Sequence, residues 1–219
     1  MNRLCLLPLD EYIGVNHDDP LFLYYYPLVG KFYRKRIELC LNELKGGQRV
    51  LEIGFGAGLT FLNLQEEYDE IYGLDLTSDV ELIAAMFRKR HIETHLQNGN
   101  VLEMPYPNDY FDSVLLISIL EHLQPKEQET AFQEIFRVLK PGGQVVYGVP
   151  VERPLMVLAF RLLGYDIRKL HFSTENDVSK AAQKNLSLDN KIELKGLWGL
   201  SDPIYQICHL LKMSDQVAP

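Results

Sequence analysis

The chain has 219 residues, of which 47% are hydrophobic and 24% are charged, a balance that excludes a largely disordered or fibrous protein. Its formal net charge of −8 argues against a protein that coats nucleic acid through bulk electrostatics. No apolar run reaches the roughly 18 residues that a membrane span needs. Its 3 cysteines are odd in number and far apart, so we expect a cytoplasmic protein with neither a disulfide framework nor a cysteine metal site.

The predicted elements alternate between helix and strand through the middle of the chain. Apolar residues at positions 37, 40, 41 and 44 share one helix face, and two glycines at 46–47 end that helix. Strands are predicted at 49–53, 70–75, 92–97, 112–118 and 144–149, and further helices at 59–68, 78–90 and 130–140. Ser78 and Glu81 are predicted to form the capping box of the helix at 78–90. This alternation predicts βαβ units and a mainly parallel sheet.

The two ends of the chain are less regular. Residues 1–30 are predicted to form an added cap, rich in proline and tyrosine. After the last core strand, helices are predicted at 155–163 and at 173–184, the latter capped by Ser173 or Thr174. Two final strands are predicted at 191–195 and 205–213. Because no repeat and no long linker interrupts these elements, a single domain is expected.

A glycine-rich loop, LEIGFGAGL at 51–59, follows the first predicted strand of the sheet. Glycines permit positive φ and a close approach of ligand to backbone, and the helix N-terminus behind them offers free N–H groups. Ligands of open parallel sheets bind beyond the carboxyl ends of the strands. We therefore predict a small ligand at residues 52–58, with a purely structural turn as the alternative.

The acidic residues around the loop narrow the choice of ligand. The third glycine, Gly58, comes one position too early for the dinucleotide fingerprint G-x-G-x-x-G. Glu52 would repel a pyrophosphate but suits a cation such as an amino group or a sulfonium. Asp75 ends the second strand, where a carboxylate can bind both hydroxyls of a ribose or, alternatively, open the next helix. These features disfavour a nucleotide-dependent oxidoreductase.

Five segments, in order, resemble the class I S-adenosylmethionine-dependent methyltransferases, specifically the type 11 group that includes the ubiquinone and menaquinone biosynthesis enzymes. They are VLEIGFGAG at 50–58, IYGLDLT at 71–77, GNVLEMPYPNDYFDSV at 99–114, SILEH at 118–122 and EIFRVLKPGG at 134–143. The resemblance implies a three-layer α/β/α Rossmann-like fold whose seven-stranded, mostly parallel sheet has an antiparallel last strand. It implies S-adenosyl-L-methionine as cofactor and S-adenosyl-L-homocysteine as product.

The resemblance also implies a division of the chain and a set of cofactor-binding residues. Residues 1–219 form one methyltransferase domain, with an N-terminal helical cap or lid at 1–46, the cofactor-binding core at 47–150, and acceptor-side helices and last strands at 151–219. The implied cofactor-binding residues are Glu52, Gly54, Phe55, Gly56, Gly58, Asp75, Leu76, Asn100, Val101, Ile117 and Ser118. Among them, Glu52 is expected to receive the ammonium group, Asp75 the ribose, and Leu76 the adenine. Asn100 replaces the family's aspartate, and its amide oxygen can still accept from the adenine amino group.

The family shares no single catalytic residue, so a general base must be sought among local candidates. His122 follows the fourth strand, and histidine is the residue type that most often serves as a general base. Glu121 has a similar place, and His171 begins a segment that borders the acceptor pocket in the resembling proteins. Each of the three has an ordinary alternative as a packing or capping residue. His91 and His95 straddle a helix end and a strand start, so no metal site is predicted.

The predicted function is methyl transfer to a small-molecule or lipid-like acceptor, and a catalytically inactive S-adenosylmethionine-binding protein of the same fold is the alternative. The acidic charge and the absence of a nucleic-acid motif argue against a nucleic-acid partner. An aromatic and basic segment at 21–36 offers four candidates for lining the acceptor pocket: Tyr24, Tyr25, Tyr26 and Tyr33. The same segment predicts either a weak peripheral membrane contact or ordinary packing. The sequence makes no prediction of oligomeric state.

Overall fold

The computed structural model describes residues 3–12, 21–151, 172–195 and 203–213. The helices are α1 at Val29–Glu43, α2 at Phe61–Leu64, α3 at Val80–Arg88, α4 at Pro125–Val138 and α5 at Glu175–Ala182. The strands are β1 at Gly47–Ile53, β2 at Tyr68–Asp75, β3 at Thr94–Asn98, β4 at Phe111–Ile117, β5 at Leu139–Pro150, β6 at Ser187–Lys195 and β7 at Pro203–Leu211. Short 3-10 helices occupy Leu9–Tyr12, Leu21–Tyr25 and Leu120–His122.

The seven strands form one sheet in the order β3-β2-β1-β4-β5-β7-β6. The first five strands pair in parallel, whereas β7 is antiparallel to both β5 and β6. The predicted fold class, including the antiparallel last strand, is therefore confirmed. Because the chain moves outward from β1 through β2 to β3 and then returns to place β4 on the other side of β1, the strand order switches between β1 and β4. Ligands of such sheets bind at this switch, beyond the carboxyl ends of the strands.

Alternating residues of the central strands enter two different cores, one on each face of the sheet. Val50 and Leu115 belong to the core that also contains Ile37 of α1 and Phe87 of α3. Their neighbours in sequence, such as Leu51, belong to the core beneath α4 and α5. Full burial of each such side chain stabilises the fold by about 1.5–3 kcal/mol. The continuous apolar runs of β1 and β4 follow from this covering of both faces.

The N-terminal segment is fastened to the first helical layer by backbone hydrogen bonds. The amide of Leu4 donates to Glu38 Oε1 of α1 at 3.2 Å, and the amide of Cys5 donates to Asn63 Oδ1 of α2 at 2.9 Å. The Tyr25 hydroxyl donates to the carbonyl of Leu7. The segment and the 3-10 helix at Leu21–Tyr25 thus extend the core around α1.

Several predicted boundaries were wrong for reasons that lie outside the local sequence. The capping-box prediction for α3 was wrong, because the Asp79 carboxylate accepts from Leu82 N at 3.0 Å while Ser78 donates to the carbonyl of Gly56 at 3.2 Å. The helix predicted at 59–68 is reduced to α2, since Tyr68 already starts β2. Residues 141–143, predicted to stand between a helix and a strand, lie within β5.

Other boundaries are set by local chemistry. Helix α4 starts at Pro125, whose fixed φ suits the first helical position, and Gln124 and Glu127 form a capping box there. Of the two predicted caps of α5, Ser173 and Thr174, the structure has Thr174. Thr174 pairs with Asp177 in a second capping box. The helix predicted at 155–163 lies outside the described residues.

Candidate functional site

A cavity of about 470 Å³ opens beyond the carboxyl ends of β1, β2 and β4. The predicted cofactor-binding and catalytic residues among those lining it are Glu52, Gly54, Phe55, Gly56, Asp75, Leu76, Asn100, Val101, Ile117, Ser118 and His122. Tyr24, Arg36, Thr60, Ile119 and Leu123 line it as well. The fold therefore brings four separated segments of sequence to one cavity, while the individual roles expected of these residues stay predictions.

The glycine loop is shaped by packing at two of its three glycines. Gly54 has φ +70°, and a β-carbon there would collide with Ile119 Cδ1, so only glycine fits the floor of the cavity. Gly58 has φ +71°, and a β-carbon there would lie 2.7 Å from the rings of Phe61 and Phe87. Gly58 does not line the cavity, in contrast to the role expected of it, and its place in the motif is explained by ring packing behind the loop.

Asp75 joins the glycine loop to the turn that follows β2. Its Oδ2 accepts from the amide of Gly56 at 3.0 Å, and its Oδ1 accepts from the amides of Thr77 and Ser78, each at 3.0 Å. Ser78 returns a bond from its hydroxyl to the Gly56 carbonyl. A carboxylate offers about four lone-pair sites, so Asp75 keeps acceptor capacity toward the cavity after these three bonds.

Glu52 is a buried acid on the cavity wall, with only 4% of its surface exposed. Burial and, to a smaller extent, the nearby Asp75 charge raise its pKa to about 8, although a hydrogen bond from the Thr60 hydroxyl acts in the opposite direction. An acid whose ionised form is this unfavourable is typical of a functional site. A cationic group beside Glu52 would favour the ionised carboxylate.

The wall near β3 combines an exposed apolar side chain with a closed turn. Leu76 is 69% exposed at the rim of the cavity, although leucine is normally buried. Asn100 Oδ1 accepts from the amide of Leu102 at 3.0 Å, so part of its acceptor capacity is used within its own turn. Val101 is buried behind it. Leu76 thus offers an apolar face, and the turn at Asn100 and Val101 offers polar backbone groups, to a planar ring bound at this wall.

Ser118 ends β4 in an unusual conformation. Its φ is +57°, which non-glycine residues adopt rarely and at a cost of roughly 1–2 kcal/mol. Its amide donates to the Gly148 carbonyl of β5 at 2.8 Å, and its hydroxyl lies 2.9 Å from the hydroxyl of Tyr205 on β7. Backbone strain maintained by surrounding bonds at a cavity is a common feature of binding sites.

Arg36 is a cavity residue that the sequence motifs do not contain. It lies on α1, and its Nη1 donates to the Ser118 hydroxyl at 3.4 Å. A signal was present in the helical spacing, because Arg36 lies three residues after Tyr33 and four before the buried Cys40, on one face of the helix. A charged residue on a buried face is a candidate for function.

The three candidate general bases differ in their positions. His122 lines the cavity at the end of the 3-10 helix that follows β4. Glu121 is buried and does not line the cavity, and its carbonyl accepts from the amide of Phe172 at 2.9 Å. His171 lies outside the described residues. His122 is therefore the candidate best placed for a reaction in this cavity.

Of the four tyrosines predicted for the acceptor pocket, Tyr24 lines the cavity, whereas Tyr25, Tyr26 and Tyr33 do not. Tyr26 is 57% exposed and packs edge-on against Phe22, with ring centroids 6.1 Å apart. Tyr33 packs beneath the guanidinium of Arg36, 4.4 Å from it, and against the ring of Tyr24. Tyr24 is the tyrosine of this segment that reaches the cavity, because it lies on the inner side of the 3-10 helix.

No cluster of three or more histidine, cysteine or acidic side chains within the described residues is arranged to hold a metal ion. Likewise, the helices in the described part of the chain are all too short or too polar to cross a membrane. Cys40 and Cys208 are buried and Cys5 is exposed, and all three are free thiols.

Known proteins are similar to the segment of the chain that carries the motifs. Residues 51–147 match the model of a family described as a methyltransferase domain. The ubiquinone/menaquinone biosynthesis C-methyltransferase UbiE of Vibrio vulnificus is 32% identical over 130 residues, which are 55% of this chain and 49% of that protein. The ajmaline N-methyltransferase of Rauvolfia serpentina is 31% identical over 126 residues, 53% of this chain and 43% of that protein. The chain thus spans about half the length of these curated relatives.

A solved structure extends the likeness to most of the chain. The N-methyltransferase NodS of Bradyrhizobium japonicum, crystallised with S-adenosyl-L-homocysteine, matches with a TM-score of 0.67. The match covers 93% of this chain and 96% of that one at 18% sequence identity. At this identity the likeness shows the fold.

Proposed function

We propose that the chain transfers a methyl group from S-adenosyl-L-methionine to a small-molecule or lipid-like acceptor, as its likeness to the type 11 group of class I S-adenosylmethionine-dependent methyltransferases through residues 51–147 suggests. The observation that carries the proposal is the buried carboxylate of Glu52, which faces the same cavity as Asp75 without a basic partner among the described residues. A buried acid of this kind is costly to the fold unless a cationic ligand uses it.

The residues present fit the proposed cofactor. Asp75 retains acceptor capacity for ribose hydroxyls, Leu76 offers an exposed apolar face for adenine, and Glu52 offers a carboxylate for the ammonium group. When bound, S-adenosylmethionine would supply an electrophilic methyl group on its sulfonium, and the C–S electron pair would stay with sulfur as a neutral thioether when a nucleophilic atom of the acceptor takes the methyl group. The chain's own task is to hold and orient both partners.

His122 is the proposed proton acceptor where the methyl acceptor must lose a proton. It faces the cavity near Ile117 and Ser118, at the end of β4 where the reactive end of the cofactor is expected. A neutral imidazole has one ring nitrogen that can accept a proton from the methyl acceptor. Glu121 and His171 remain candidates in the proposal, the first from behind the cavity wall and the second from the segment that the structure does not describe.

The proposed transfer covers acceptor carbon and nitrogen atoms, because the two relatives are named as a C-methyltransferase and an N-methyltransferase. A weak contact of the segment at 21–36 with anionic membranes is also proposed, because Phe22, Tyr26 and Leu28 are exposed there beside Lys31. Sedimentation with anionic vesicles at low salt supports this contact, and its absence contradicts it.

The first experiment is calorimetric titration with S-adenosyl-L-homocysteine, with NAD as the control ligand. Micromolar binding of the first and none of the second supports the proposed function. Failure of S-adenosyl-L-homocysteine to bind contradicts it. The alternative, an inactive protein that binds S-adenosylmethionine, is tested by following S-adenosyl-L-homocysteine formation across a library of metabolite fractions. Binding without turnover in any fraction favours that alternative.

A further inference from the structure

Arg36 is enclosed by three tyrosines at the side of the cavity formed by α1, β4 and β7. Its guanidinium carbon lies 4.4 Å from the centre of the Tyr33 ring and 5.2 Å from that of Tyr205. Its Nη2 donates to the Tyr24 hydroxyl at 3.3 Å, and its Nη1 donates to the Ser118 hydroxyl at 3.4 Å. Both distances exceed the usual range for such bonds, so these donors are only weakly satisfied.

The charge of Arg36 is not balanced by an acid among the described residues. Its Nε is buried and has no hydrogen-bond partner. Other partly buried arginines pair with carboxylates, Arg49 with Glu70 at 3.1 Å and Arg137 with Glu134 at 2.7 Å. Tyrosine rings attract a cation, but they do not supply the two oxygens that a guanidinium fork can bind. Arg36 therefore presents an unsatisfied positive charge to the cavity.

Arg36 and Glu52 line one cavity from different elements, α1 and β1. The contacts of Arg36 lie on Ser118 at the end of β4 and on Tyr205 of β7, on the side away from β2. An anion held by Arg36 would therefore lie toward β4 and β7, whereas the ammonium group proposed for Glu52 would lie at the end of β1.

We propose that Arg36 binds an anionic group of the methyl acceptor, specifically a carboxylate, and so restricts the substrates to acidic compounds. This inference rests on the proposed function of the same cavity. The planar guanidinium carries five N–H groups, so those not directed at the Tyr24 and Ser118 hydroxyls can bind both oxygens of a carboxylate. Tyr24 and Ser118 then hold the guanidinium in place from behind, and the rings of Tyr33 and Tyr205 fix its plane. Arg36 is accordingly a specificity-determining residue.

The test uses matched pairs of small probes that differ in charge alone. Benzoate, phenylacetate and cinnamate are each titrated beside the corresponding neutral amide into protein saturated with S-adenosyl-L-homocysteine, with binding followed by ligand-detected NMR. We expect at least one carboxylate to bind the wild-type protein tenfold or more tightly than its amide. The Arg36→Gln variant should lose this preference, and Arg36→Lys should retain a smaller one, because it keeps the charge without the planar fork.

Arg34→Gln is the matched control, since Arg34 lies on the same helix, donates to the Tyr24 carbonyl at 2.7 Å and does not line the cavity. It should keep the full carboxylate preference. Circular dichroism checks that each variant is folded. If Arg36→Gln does not fold, Arg36→Lys is compared with the wild type instead. Equal binding of carboxylates and amides to the wild type, or a preference that survives in Arg36→Gln, overturns the proposal.

Two further measurements distinguish an acceptor carboxylate from the cofactor carboxylate, and the anion site from the proposed methyl transfer. If Arg36→Gln weakens S-adenosyl-L-homocysteine tenfold but leaves 5′-methylthioadenosine unchanged, Arg36 holds the carboxylate of the cofactor and the acceptor proposal is overturned. The probe titrations are also run without S-adenosyl-L-homocysteine. A carboxylate preference that depends on Arg36 in a protein that binds no S-adenosyl-L-homocysteine supports the anion site while contradicting the proposed methyl transfer.

Discussion

One wall of the cavity is built by β1 and β2, and hydrogen bonds between its own residues hold it together. The opposite wall is built by α1, β4 and β7, and it is held by aromatic contacts and by long hydrogen bonds. Asp75 alone fixes three backbone amides of the first wall. On the second wall, Arg36 rests between two tyrosine rings and donates at 3.3–3.4 Å. The first wall is organised before any ligand arrives, which suits an invariant cofactor. The second leaves a charge to be completed by a ligand, which suits selection among acceptors.

The largest effect is expected from Gly58→Ala, which tests whether the first wall depends on packing behind it. The new β-carbon would meet the rings of Phe61 and Phe87 at 2.7 Å and would be strained at φ +71°. Overpacking and a left-handed alanine together should lower the free energy of unfolding by about 2–4 kcal/mol. Denaturant unfolding measures this change.

The matched control for Gly58→Ala is Gly142→Ala, since Gly142 also has positive φ, +76°, but a β-carbon added there would have nothing within 4 Å. Its cost should be limited to the backbone strain of about 1–2 kcal/mol. Equal destabilisation by the two substitutions would show that ring packing does not explain Gly58.

Asp75→Ala should be the next largest change, because it removes both the acceptor for the ribose and the bonds that hold the loop. Loss of hydrogen bonds to a charged group should weaken S-adenosyl-L-homocysteine binding by about 2–3 kcal/mol. Isothermal titration on protein whose fold is verified by circular dichroism measures this loss. Unchanged affinity in a folded variant would remove Asp75 from the cofactor site.

Glu52 should make cofactor binding depend on pH. Because its pKa is raised to about 8, the free protein holds a proton there at lower pH, and a bound ammonium group favours its release. Affinity for S-adenosyl-L-homocysteine should therefore rise between pH 6 and pH 8, by up to about 1.4 kcal/mol per unit, and then level off. Calorimetry in buffers of different ionisation enthalpy should detect the released proton.

The control for this linkage is Glu52→Gln, which should bind more weakly and show no proton release. The wild type should also lose stability as pH rises from the ordinary glutamate range near 4.5 toward 8, since the folded state holds a proton that the unfolded state has released. Glu52→Gln should flatten this slope. A wild-type affinity that is constant from pH 6 to pH 8 would contradict the assignment of Glu52.

Asn100→Asp should give the smallest change. The Asn100 side-chain oxygen already accepts from Leu102 N at 3.0 Å, and an aspartate oxygen can make the same bond. We expect the affinity for S-adenosyl-L-homocysteine to change by no more than about 1 kcal/mol. A tenfold or larger gain in titration would show that the amide weakens adenine recognition substantially.

The core of the fold and the first wall were predictable because their determinants are local. Continuous apolar runs mark strands covered on both faces, and Glu52 and Asp75 each lie at the end of a strand within a recognisable motif. The choice between two neighbouring residues that could both cap a helix could not be predicted in the same way. Ser78 and Asp79 are both good caps, and Asp79 became the cap because Ser78 bonds to the Gly56 carbonyl across the loop.

The amino-acid sequence by itself determined the alternation of strands and helices, the glycine loop and the acids beside it, because each depends on neighbouring residues. Tertiary structure alone decided the second wall. Arg36 and Ser118 are 82 residues apart, and Ser118 and Tyr205 are 87 apart, in segments with no shared motif. Such contacts exist because the switch in strand order carries β4 to the side of β1 opposite β2 and antiparallel pairing brings β7 beside β5. A local pattern cannot encode that proximity, which is set by the packing of the whole sheet.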